Sequence, residues 1–158
     1  MAYIDLLRWL HIIGACVLFG TGAGIAFFML MAHRTRDPHL IAHTASIVVT
    51  ADILFTASAV LIQPVTGLLL ANAIGWPLSE GWIVVSIVLY VMTGLCWLPV
   101  VWIQARMRNL ARAAVNNGTG LPPDYETLFR TWVLLGIPAF VFVLGIIWLM
   151  IAKPTFAF

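Results

Sequence analysis

Four long stretches of this chain contain no Asp, Glu, Lys or Arg, and they constrain its fold more than any other feature. They are residues 9–32, 53–79, 81–105 and 131–152, which are 24, 27, 25 and 22 residues long. About 20 apolar residues in a helix cross the roughly 30 Å of hydrocarbon in a bilayer. Because lipid cannot satisfy free backbone N–H and C=O groups, each stretch is expected to cross as a helix.

Charged residues make up only 9% of the 158 residues, against about 25% in soluble domains. So little charge is typical of a protein whose solvent is lipid. The sequence therefore predicts a single all-α integral membrane domain over residues 1–158. In it, a four-transmembrane-helix bundle covers about residues 5–32, 43–73, 81–106 and 128–152. The expected partner is the lipid bilayer, and the net charge of +2 gives no indication of nucleic-acid binding.

The basic residues predict how the chain is oriented. The second connection, residues 72–80, contains none of them. The first and third connections hold or adjoin Arg34, Arg36, Arg106, Arg108, Arg112 and Arg130. By the positive-inside rule these two connections face the cytoplasm. Both termini are then expected on the outer, periplasmic side of a multi-pass protein in a bacterial inner membrane.

Small residues are concentrated in the first predicted helix, where Gly20 and Gly24 form a GxxxG pair. Small side chains let two membrane helices approach closely. We expect this face to pack tightly against a neighbouring helix, which includes self-association into a homo-oligomer. Room for a flat cofactor against the backbone is the alternative interpretation.

Asp52 is an ionisable residue within or near the membrane, and such residues are functional candidates. Thr56, Gln63 and Thr66 follow it at spacings that place all four on one face of the second helix. One interpretation is a small proton or solute transporter that uses Asp52. The other places Asp52 at the inner interface, where it pairs with a loop arginine or with His43.

The third predicted helix also has a polar face, formed by Ser86, Tyr90, Thr93 and Trp97. Two such faces in one bundle predict an interior that is partly polar. The second helix is too long for a straight crossing, so we expect it to tilt, protrude or bend near Pro64.

His11 lies in the first helix, one to two turns from its outer end. A neutral imidazole is the commonest metal ligand, and in a bundle without a soluble domain its natural partner is a haem iron. Arg8 precedes it by three residues, and Lys153 lies at the outer end of the fourth helix, at the depth where haem propionates would emerge. A hydrogen-bonded packing role is the alternative for His11.

Three further histidines, His33, His39 and His43, cluster at the cytoplasmic edge. A three-histidine metal site and a set of interfacial polar residues are the two interpretations. These histidines lie about a membrane thickness from His11, so they cannot bind the same iron.

Three short motifs carry a family resemblance. The stretch LRWLHIIG at residues 7–14 resembles the opening of a family of bacterial four-helix predicted integral membrane proteins of unassigned function. More distantly it is similar to the HemJ-type protoporphyrinogen oxidases, whose first helix opens with a basic residue three before a His. FRTW at residues 129–132 and KP at residues 153–154 resemble the beginning and the end of the last HemJ helix.

The resemblance implies a b-type haem held by His11 and redox chemistry at the membrane. Met150, at a similar depth by counting, is the candidate second axial ligand. The HemJ lysine early in helix three has no counterpart in residues 82–89, and Cys96 and its neighbours stand where HemJ has a His. The porphyrinogen-oxidising activity is therefore not implied.

Three functions are open at this point. The first is a haem b-binding redox or electron-transfer protein, with quinone or another redox membrane protein as partner. If this protein turns over a substrate, it is a membrane oxidoreductase. The second is a non-enzymatic subunit or scaffold of a larger complex. The third is the Asp52 transporter.

Overall fold

A computed structural model describes residues 2–156 as four long helices. These are α1 (Ala2–Thr35), α2 (Pro38–Ile74), α3 (Gly81–Asn117) and α4 (Pro123–Ala152), and each is long and apolar enough to cross a membrane. No strand occurs in the described part of the chain. The prediction of an all-helical chain with four spanning segments is confirmed. The helices extend beyond the uncharged stretches because the arginine-bearing turns remain helical outside the apolar segment.

Local sequence explains where the helices begin and end. Asp37 caps α2, its Oδ1 accepting from the backbone N–H of His39 at 2.8 Å, and Pro38 follows as the first helical residue. At their other ends, α2 and α3 stop at Gly75 (φ 84°) and Gly118 (φ 62°). This left-handed conformation favours glycine, which has no Cβ.

The α-helical geometry of α2 is interrupted at Asp52, and not near Pro64, where a bend is expected from the sequence. Residues Asp52–Thr56 form one π-helical turn, in which the N–H of Ala57 donates to the carbonyl of Asp52, five residues back. The α-helix then resumes as Ala57–Ile74 and continues through Pro64. The irregularity therefore lies at the acidic residue rather than at the proline.

The main core lies at the end of the bundle that holds the 36–37 and 118–122 connections, which we call the arginine-rich end. There α2 packs between α1 and α3, and α3 packs along α4. The largest fully buried side chains of the described residues all belong to this end: Tyr125, Met29, Ile41, Met107 and Gln104.

The opposite end, which holds the 75–80 connection, the start of α1 and the end of α4, is packed differently. Residues Ala57–Ile74 pack against α1, but they are not among the segments packed closely on α3. A small cluster of Trp82, Ile83 and Leu149 joins α3 to α4 there, and Ala71 of α2 and Trp76 of the 75–80 connection pack against it. The two helix pairs, α1 with α2 and α3 with α4, are thus joined more extensively at the arginine-rich end than at the opposite end.

Candidate functional site

Asp52 lies deep in the bundle, with 3% of its surface exposed. Its depth is indicated by Ser46, whose hydroxyl accepts from Nη2 of Arg112 at 2.9 Å. Asp52 is six residues further along α2, which is about 9 Å at 1.5 Å per residue. The carboxyl group therefore lies inside the apolar part of the bundle, beyond the layer of arginine side chains.

Two N–H groups from α3 hold the Asp52 carboxyl. Nε1 of Trp97 donates to Oδ1 at 3.3 Å, and the side-chain nitrogen of Gln104 donates to Oδ2 at 3.2 Å. The oxygen of the same Gln104 amide accepts from Nε1 of Trp132 on α4 at 3.1 Å. This amide orientation is assigned because the opposite one would set oxygen against oxygen and N–H against N–H. Asp52 thus links three helices.

Among residues 2–156, no cationic side chain neutralises Asp52. Within residues 2–156 the ion pairs join other groups. The shortest of these ion pairs joins Nη1 of Arg36 to Glu126 at 2.6 Å, and Arg130 also pairs with Glu126. His43 is exposed. The interpretation in which Asp52 pairs with an arginine or with His43 at the interface is not what the structure shows.

The π-helical turn begins at Asp52 itself. Turns of this kind occur mostly as single interruptions of α-helices and are frequent at functional sites. Thr56, the last residue of the turn, is also buried. Both polar residues of the turn thus lie inside the bundle, while Ile53, Leu54 and Phe55 are exposed on its surface.

His11 is the second site, and its partners lie on α2. Its Nδ1 is 3.0 Å from Oγ1 of Thr66. The Thr66 hydroxyl also lies 3.0 Å and 3.1 Å from the carbonyls of Ile62 and Gln63. Because a hydroxyl has one proton and that proton serves the backbone, Oγ1 accepts from Nδ1–H. This assigns the lone pair of the neutral imidazole to Nε2.

Around His11, side chains of α1 and α2 pack against two glycines of the facing helix. Nε2 of Gln63 donates to the His11 carbonyl at 3.1 Å. A Cβ at Gly67 would lie 3.0 Å from Cε1 of His11, and a Cβ at Gly14 would overlap Oε1 of Gln63. By contrast, a Cβ at Gly20 would meet nothing within 4 Å. Within the bundle, tight packing of helix one therefore occurs at Gly14 rather than at the GxxxG pair.

The other predicted haem contacts are engaged elsewhere. Arg8 pairs with Asp5, Nη1 to Oδ1 at 3.5 Å. Nζ of Lys153 lies 5.6 Å and 5.8 Å from the ring centroids of Trp76 and Trp82, a cation–π arrangement. Met150 is 36% exposed. Haem ligation by His11 and Met150 therefore stays a prediction.

The three further histidines are separated by their surroundings. His33 is buried and stacks on Phe129, with ring centroids 3.5 Å apart, whereas His39 and His43 are exposed. No group of three or more His, Cys, Asp or Glu residues among residues 2–156 is placed to hold a metal ion. The structure thus places His33 inside the bundle and His39 and His43 on its surface.

Sequence reasoning missed two members of the Asp52 site, Gln104 and Trp132. A signal existed for Gln104, which lies seven residues after Trp97 and therefore continues the polar face of α3 by two turns. It was overlooked because Gln104 stands beside the arginines of the third connection. Trp132 had no such signal, since a tryptophan in a spanning helix reads as apolar.

The fold and the buried carboxyl define a multi-pass integral membrane protein of four helices. Comparison with protein families agrees: the chain belongs to the family described as predicted integral membrane protein (DUF2269), whose model matches residues 5–154. The predicted family of four-helix membrane proteins is thereby confirmed. Neither a curated protein nor a solved structure matches the chain.

Proposed function

We propose that this protein is a small transporter of the bacterial inner membrane that moves protons, with Asp52 as the residue that binds and releases the proton. Both termini would lie on the periplasmic side, as the arginine distribution predicts. The observation that carries the proposal is a carboxyl buried in the apolar part of the bundle without a cationic partner.

The physical argument concerns the cost of the two charge states. An ionised carboxylate in an apolar interior is expensive unless it is paired or hydrogen-bonded. Asp52 has no counter-ion among the described residues, so taking up a proton relieves the burial cost. The N–H groups of Trp97 and Gln104 stabilise the ionised form. Neither state is prohibitive, which is what reversible proton binding requires.

Carbodiimide labelling tests the proposal. Dicyclohexylcarbodiimide adds to a protonated carboxyl: the acid proton moves to a carbodiimide nitrogen as the carboxyl oxygen bonds to the central carbon, and the adduct rearranges to an N-acylurea without a leaving group. We expect one reagent mass on the peptide that contains Asp52, measured by mass spectrometry of protein labelled in membranes. The apolar reagent enters the bilayer, so the exposed Asp5 serves as the internal comparison.

The matched control is Asp52→Asn, which should lose that adduct and no other. Two results would show that no protonated carboxyl is present at this position. One is labelling that stays the same in Asp52→Asn, and the other is a wild-type protein whose Asp52-containing peptide remains unmodified.

A second function, haem b binding, has its own supporting observation at His11. The hydrogen bond from Nδ1 to Thr66 fixes the ring and leaves Nε2 as the ligand atom, an arrangement typical of metal-binding histidines. His11 thus fits one axial position. The identity of the cofactor, a b-type haem, is inferred from the resemblance to HemJ-type proteins. A haem bound there would provide one-electron chemistry at the membrane. Met150, Arg8 and Lys153 would have to rearrange to contribute.

An absorption spectrum tests the haem proposal. Protein purified from haem-replete cells is expected to show a Soret band that His11→Ala removes and that His39→Ala, an exposed histidine near the other end of the bundle, retains. A colourless wild-type preparation would contradict haem binding. The proton-site proposal would be untouched by that result, since Asp52 and His11 are separate sites on α2 and α1.

A further inference from the structure

One hydrogen bond crosses the space between α2 and α3 at the end opposite the arginines. The hydroxyl of Tyr90 on α3 donates to the backbone carbonyl of Val60 on α2. The surrounding segment Ala57–Ile74 packs on α1 rather than closely on α3. The Tyr90 side chain therefore bridges two helices that are not closely packed on each other at this depth.

The acceptor is a carbonyl that the helix itself cannot satisfy. In an α-helix the carbonyl of Val60 would accept from the N–H of residue 64, but that residue is Pro64 and has no N–H. A free carbonyl in the membrane interior is costly, and a neighbouring helix commonly supplies the missing donor. Tyr90 supplies it here, so the strength of the bridge depends on Pro64.

The bridge stands directly beyond the proton site. Val60 is eight residues after Asp52 on α2, and Tyr90 is seven residues before Trp97 on α3. Both steps correspond to about two helical turns in the direction away from the arginine-rich end. On the arginine-rich side the site is closed by the packed aromatic rings of Phe129 and Trp132, whose centroids are 5.7 Å apart.

We propose that Tyr90 is a gate residue: its hydrogen bond to Val60 closes the route between Asp52 and the end of the bundle opposite the arginines, and breaking the bond opens that route. This inference rests on the proposed proton site at Asp52. It assigns to Tyr90 a positioning role, since the hydroxyl acts through the separation of α2 and α3 and does not touch the carboxyl.

Hydrogen–deuterium exchange in detergent tests the bridge independently of any proton transfer. Tyr90→Phe is expected to raise the exchange rate of amides in Ala57–Ile74 about fivefold, the factor expected for one hydrogen bond between membrane helices. In Pro64→Ala, the N–H of residue 64 satisfies the Val60 carbonyl. Adding Tyr90→Phe to that variant should therefore change exchange less than twofold. Tyr3→Phe, at an exposed tyrosine, is the control.

The rate of carbodiimide labelling at Asp52 tests the gate. Tyr90→Phe is expected to accelerate labelling several-fold, and Pro64→Ala, which weakens the same bond, should accelerate it to a similar degree. The double variant should be no faster than either single variant, because both changes act on one bond. A structural role alone would alter exchange and stability but would leave the labelling rate unchanged.

Each alternative result is decisive. If Tyr90→Phe leaves exchange unchanged, or if its effect persists in the Pro64→Ala background, the bridge is not the controlling contact. If exchange responds but the labelling rate does not, the bridge is a structural link and not a gate. If Asp52 is unlabelled in all variants while exchange responds, the proton site itself is refuted, and the gate fails with it.

Discussion

Gly14→Leu is expected to destabilise the folded protein by about 2–4 kcal/mol, because the new side chain must displace the buried end of Gln63. A Cβ at this position would overlap Oε1 of Gln63, and overpacking alone costs about 1–3 kcal/mol. Displacing Gln63 would also remove its hydrogen bond to the His11 carbonyl, worth about 1 kcal/mol between membrane helices. The midpoint of unfolding in a mixed detergent measures the loss.

Gly22→Leu is the matched control on the same helix. A Cβ there meets nothing within 4 Å, while the change in helix propensity is the same as at position 14. We expect its unfolding free energy to remain within about 0.5 kcal/mol of the wild-type value. Equal destabilisation by the two substitutions would mean that the approach of α1 and α2 at Gly14 is not close.

The number and approximate position of the helices follow from the sequence because their cause is local. A segment without Asp, Glu, Lys or Arg and at least 22 residues long has only one common solution in a bilayer, whatever it packs against. Asp52 was recognised for the same reason, since a carboxylate inside such a chain is conspicuous by composition alone.

The partners of Asp52 could not be derived in this way. Gln104 and Trp132 become its neighbours through the packing of α3 against α2 and α4, which a single sequence does not specify.

The choice among glycines shows the same limit. The GxxxG spacing points to Gly20 and Gly24. The glycines that lie against the facing helix are instead Gly14 on α1 and Gly67 on α2, which share no motif. Self-association through the face around Gly20 stays a prediction.

Asp52→Asn is expected to retain the fold and to lose proton transport. Asparagine has the size of aspartate, and its oxygen can still accept from Trp97. Its NH₂ group would face the Gln104 nitrogen, so the Gln104 amide must turn and place its own NH₂ against Nε1 of Trp132. One unsatisfied contact of this kind costs about 1 kcal/mol. The stability loss should therefore be small, whereas the amide cannot bind and release a proton at all.

Proton uptake into liposomes containing the purified protein is the most direct test of the proposed function. A potassium diffusion potential, negative inside, drives uptake, and a pH-sensitive dye inside the vesicles records it. We predict uptake by the wild-type protein and by Asp5→Asn, in which the same chemical change is made at an exposed aspartate, and at least about tenfold slower uptake by Asp52→Asn, corresponding to about 1.4 kcal/mol or more. Uptake by folded Asp52→Asn at the wild-type rate, or none above that of empty liposomes for the wild-type protein, would contradict the account.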